Sequence, residues 1–152
     1  NKKVKNYSIN RSDLNTYYNV GKMLSQAGKH YGEGIIKEYS KRLTKELGKG
    51  YTFTALTRIK KFYLLVQKLA TVSQYLTYGH YVELLPYDDI NKIRYYIEIV
   101  EKQKLSIRQL RERIKLKEYE RLPNNTKNKI IKQQELDIKA QSVSHKFDSE
   151  KI

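Results

Sequence analysis

The chain has 152 residues, enough for one ordinary domain or two very small ones. Its 31 Lys and Arg against 16 Asp and Glu give a net charge of +15, which calls for an anionic partner, nucleic acid being the commonest. It has no cysteine and no apolar run near the roughly 18 residues of a membrane span. Disulfides and thiolate metal sites are therefore excluded, no membrane span is expected, and a reducing cytoplasm is the expected setting.

Gly and Pro are scarce, at 7 and 2, and no long β-patterned run is present. The reading is an all-α fold: a compact multi-helix domain of around six helices containing a helix-turn-helix, followed by a polar C-terminal tail. Residues 1–11 are polar and basic and are expected to form a flexible arm. The helical domain is expected over 12–122, and a linker or tail over 123–152. The first residue is Asn1 rather than Met, so a processed or partial chain is expected.

Taken in order, Ser12 and Asp13 suit a helix start, and Leu14, Tyr17, Tyr18, Gly21, Leu24 and Ala27 recur at helical spacing. The stretch GKHYGEG, 28–34, breaks that helix; it lacks the spacing of a phosphate-cradling loop. Ile36, Tyr39, Leu43 and Leu47 line a second helix, which Gly48 caps at its C-terminus. Thr52 is placed to cap a third helix, with Leu56, Ile59, Tyr63 and Val66 as its apolar stripe. Thr54, Thr57, Arg58 and Lys61 project from the opposite side. Residues 71–76 are a connector. Thr77 caps a short helix that Pro86 ends, and Asp88 and Asp89 open a fifth helix, as the helix dipole favours. Ser106 and Gln109 form a capping box, and Leu105 with Leu110 a hydrophobic staple, so a sixth helix starts at Ser106 and runs to about Tyr119. After Pro123 no apolar stripe is sustained, although a helical part is expected around 128–140.

A helix, a tight turn and a second helix with a basic outer face is how a small protein presents a helix to the DNA major groove. Thr52, Thr54, Thr57, Arg58 and Lys61 are assigned to the groove. Lys49, Lys60, Arg108, Arg111 and Lys115 are assigned to phosphates, which set position and affinity while base edges set sequence preference. No catalytic residue, metal site or cofactor is expected. His30, His80 and His145 are far apart and lack metal-ligand spacing. His80 is read as a packing or surface residue.

Three segments in order, GKGYTFTALTRIKKFY (48–63), LTYGHYVELL (76–85) and LSIRQLRERI (105–114), followed by EYERLP (118–123), resemble the N-terminal domain of the YhcG-like family of PD-(D/E)XK nucleases. The same region is similar, more distantly, to the helical DNA-binding domain of ParB partition proteins. The chain departs from the family pattern at Thr54 and Ala55, where Arg and Asn are usual, and at Tyr78, where Trp is frequent. The resemblance implies a helical DNA-binding module that sits ahead of a nuclease domain. A PD-(D/E)XK site needs an acidic residue two positions before Lys, on strands around Mg²⁺. This chain has no Glu-x-Lys; its one Asp-x-Lys, Asp137 to Lys139, falls in the polar tail. The expected partner is double-stranded DNA, with a nuclease domain in cis or in trans, and a homodimer is compatible. Two other readings stand beside this one. The helices could form a protein-interaction or dimerisation module that recruits or regulates a nuclease, or the basic surface could bind structured RNA.

Overall fold

The structure is a computed structural model that describes the backbone of residues 2–150 and the side chains of residues 13–140. It is all-helical, with no strand among the described residues. In chain order the helices are α1 (Lys2–Tyr31), α2 (Ile35–Leu47), α3 (Phe53–Leu69), α4 (Tyr78–Leu84), α5 (Ile90–Gln103), α6 (Ile107–Lys115) and α7 (Asn124–Glu150).

Two expectations are corrected. Residues 2–11 of the expected arm are helical, because α1 begins at Lys2 and not at Ser12. Residues 2–11 contain neither Gly nor Pro, so nothing breaks the helix there. Residues 124–150 of the expected linker or tail form one helix, α7, longer than the helical part expected around 128–140. Polar, helix-favouring residues carry it without an apolar stripe along its whole length.

The main packing is α1 against α3. The two backbones approach closely at Gly21, where a methyl group would lie 2.6 Å from both the Ile59 carbonyl oxygen and Tyr63 Cβ. Leu24 of α1, Ile36 of α2, and Leu56 and Ile59 of α3 form a small apolar cluster at one end. A larger core joins Leu14 and the rest of α3 to α4, α5 and α6, with Phe62, Leu76, Tyr81, Leu84, Tyr96 and Leu110 fully buried. Several tyrosine rings pack at offset or edge-on angles, Tyr63 buried and Tyr17 and Tyr18 half-buried. Tyr17 stacks on Tyr78 at 4.0 Å between centroids, and Tyr18 meets Tyr63 edge-on at 5.0 Å.

The expected caps form. Ser106 Oγ accepts from Gln109 N–H at 3.1 Å, and Gln109 Oε1 accepts from Ser106 N–H at 2.8 Å. Leu105 and Leu110 are both buried beside them. Asp89 caps α5 by accepting from Asn91 N–H at 3.0 Å. α6 ends at Lys115, short of Tyr119, as Lys117 turns to φ +56°.

Candidate nucleic-acid interface

The outer face of α3 is set by how its start is held. α2 ends at Gly48, with φ +91°, and Gly50 follows at φ +111°, both in the region that glycine adopts without strain. The turn is tied back to α2, whose Ser40 hydroxyl donates to the Tyr51 carbonyl at 2.8 Å. Thr52 then caps α3, its Oγ1 accepting from Ala55 N–H at 3.1 Å. Leu56, Ile59, Phe62, Tyr63 and Val66 turn inward and are buried. Thr54, Arg58 and Lys61, at helical spacing i, i+4 and i+7, are left exposed on the other side, and Lys49 is exposed in the turn.

The remaining expected contact residues divide. Thr52 is occupied as the cap. Thr57 is half-buried, and its hydroxyl donates to the Phe53 carbonyl one turn back at 2.8 Å. Lys60 points towards the α1–α2 turn, where its Nζ meets Glu33 Oε1 at 2.7 Å. On α6, Arg108 and Lys115 are exposed, but Arg111 grips Glu83 of α4 with two nitrogens, at 3.1 and 2.6 Å. Thr52, Thr57, Lys60 and Arg111 therefore already have structural work. Thr54, Arg58, Lys61, Lys49, Arg108 and Lys115 take no part in an ion pair or side-chain hydrogen bond among the described residues.

α4 lies between the two basic elements, packing on α3 on one side and on α6 on the other. Gly79 lets Ile107 of α6 come close, since a methyl group there would meet Ile107 Cδ1. Tyr78 touches Phe62 and Tyr17, and lies near enough to Arg58 for the guanidinium to favour its phenolate. Burial wins, and with the nearby Tyr17 it pushes the Tyr78 hydroxyl up to about 12. Residues 1–121 match the family model of the DUF1016 N-terminal domain. The chain belongs to that family. It is a nuclease-associated, YhcG-like family, in line with the resemblance carried by the three segments. No curated protein and no solved structure matches the chain significantly.

The matched stretch of this DUF1016 N-terminal domain holds α1 to α6 and stops short of α7. Several of its acids are spent inside the fold: Glu33, Glu83, Glu98, Glu118 and Glu120 each pair with a Lys or Arg within 2.8 Å. Cations outnumber acids almost two to one, so an excess of unpaired Lys and Arg must face solvent. Two contacts that organise this surface were not expected from the sequence. Glu83 holds Arg111, and no local spacing signals a pair 28 residues apart. His80, expected as a packing or surface residue, is 6% exposed and joins α4 to α6. Asp137 and Lys139 lie on α7, a helix and not a strand, where the Asp137 carboxylate accepts from Gln133 at 3.0 Å. Among the described residues no helix is long and apolar enough to cross a membrane.

Proposed function

We propose that this DUF1016 N-terminal domain is a DNA-binding helix-turn-helix module, with α2 and α3 as the motif and α3 as the helix presented to the major groove. It would act without catalysis of its own, alongside a nuclease domain in cis or in trans, in the cytoplasm. The observation that carries the reading is the outward face of α3. Thr54, Arg58 and Lys61 stand exposed and uncommitted on a helix whose start is fixed by a capped, glycine-containing turn. Uncommitted cations on a chain of net charge +15 favour a polyanion, because each phosphate neutralised releases condensed counterions. Arg108 and Lys115 supply further phosphate contacts from α6, and Lys49 from the turn.

The test is titration of labelled duplex DNA with the chain over a series of salt concentrations, with duplex RNA and an acidic polypeptide as competitors. About five phosphate contacts give a slope of log K on log salt near −4.5. Duplex DNA should compete best. Equal competition by the acidic polypeptide would favour a protein-interaction module instead, and stronger competition by duplex RNA an RNA-binding one.

A further inference from the structure

α7 rests on α5, and the centre of its contact face is a glutamine. Ile130, Ile131 and Ile138 are half-buried on that side, and Gln134 between them is 8% exposed. Both amide atoms of Gln134 are sealed from solvent, and neither has a hydrogen-bond partner among the described residues. A primary amide can make about four hydrogen bonds, and this one makes none with the described residues around it. Beside it lies a cavity of about 450 Å³, bounded by Leu69, Tyr81, Arg94, Ile97 and Glu101, which α7 spans without filling. The start of α7 is held differently. Lys127 Nζ donates to the Glu120 carbonyl at 3.2 Å and lies 5.1 Å from the Tyr119 ring centroid, while Lys92 grips the Glu120 carboxylate at 2.8 Å.

We propose that α7 is a releasable helix, anchored at Lys127, that exchanges between the docked position and one in which the Gln134 amide returns to water. Release restores the hydration of the amide and opens the cavity wall formed by Leu69, Tyr81 and Ile97. An aliphatic side chain at 134 would have closed the contact, whereas the glutamine keeps docking weak and reversible. The inference does not depend on DNA binding.

Hydrogen exchange of the whole chain, resolved by peptide, tests it. Amides of residues 128–138 should exchange at least about 100-fold faster than those of residues 93–100 in α5, as expected of local opening. Gln134→Leu should slow exchange in α7 by about tenfold or more and leave α5 unchanged, since it removes the uncompensated amide. Gln134→Met, closer in shape to glutamine, gives the same reading if the leucine variant folds poorly. Wild-type α7 amides as slow as those of α5, or an α7 rate that neither variant alters, would overturn the proposal.

Discussion

His80 Nε2 lies 2.9 Å from the carbonyl oxygen of Leu105, so a side chain of α4 holds the residue directly ahead of the α6 cap. A carbonyl only accepts, so Nε2 carries the proton. Nδ1 is then bare and accepts from Thr77 N–H at 3.0 Å, at the start of α4. One ring thus joins two helix N-termini. His80→Ala removes the partner of the buried Leu105 carbonyl and of the part-buried Thr77 N–H, and opens a hole. The expected loss is about 3 kcal/mol of unfolding free energy, read from urea denaturation. A loss below about 0.5 kcal/mol, typical of surface positions, would show that the joint carries nothing.

Gly21 and Gly28 make a matched pair on α1. An added methyl at Gly21 would sit 2.6 Å from the Ile59 carbonyl oxygen, and backbone cannot step aside as a side-chain tip can. At Gly28 the nearest atoms are 3.6 and 3.7 Å away and belong to the flexible ends of Glu33 and Lys60. Gly21→Ala should therefore destabilise by about 2 kcal/mol, because overpacking outweighs the better helix propensity of Ala. Gly28→Ala should leave stability unchanged or raise it by up to about 1 kcal/mol. Thermal unfolding of the two variants side by side checks this. Equal melting temperatures would mean that α1 and α3 can slide apart at little cost.

The parts of this fold legible in the sequence are those encoded within one or two turns of chain. The stripe from Leu56 to Val66, the Thr52 cap and the Ser106–Gln109 box could be read because spacing and capping chemistry are local. The beginning of α1 could not, and α7 only in its part around 128–140, because a polar helix has no periodicity to announce it. His80 was read as a packing or surface residue, but its part in a cap was not legible, because it fills the reciprocal position of a capping box that Glu or Gln usually occupies. The contact surface was legible in outline only. Arg58 and Lys61 were placed outward by the same stripe that buries their neighbours. Lys60 and Arg111 looked equivalent to them, and what sets them apart is acids 27 and 28 residues away that only the tertiary fold brings near.

Alkaline pH should unfold the chain through its buried phenols. Burial pushes Tyr81 and Tyr96 up to about 12 from the ordinary 10.0, even though each hydroxyl accepts a backbone N–H, from Ser73 and Tyr119, that pulls the other way. The folded state favours the protonated phenol, so this stabilisation is complete below the unfolded value near 10.0. It is lost as pH rises from there through about 12. Tyrosinate absorbance should show an early group of exposed rings and a late group that ionises together with loss of helical signal. Ionisation of all the tyrosines near pH 10, with helix retained, would contradict the burial of Tyr81 and Tyr96.

The proposed DNA surface makes opposite demands on two sets of residues. Arg58→Ala and Lys61→Ala should each weaken duplex binding by roughly 1 kcal/mol if they meet phosphate, and Arg58→Ala by up to about 3 kcal/mol if it reads a guanine. Arg108→Ala should lower affinity alike on all sequences, as a phosphate contact does. Lys60→Ala should matter less, since Glu33 already neutralises that charge at 2.7 Å. Removing an internal counter-charge should do the reverse. Glu83→Gln frees Arg111 from its two-nitrogen grip and should tighten binding a few-fold at low salt, with the gain fading as salt rises. Helical content should be unchanged throughout, because none of these side chains lies in the core. Affinity indifferent to the double change Arg58→Ala/Lys61→Ala, yet raised by Glu83→Gln, would move the contact from α3 to α6. Indifference to both would remove the basic face of these two helices from the DNA-binding reading.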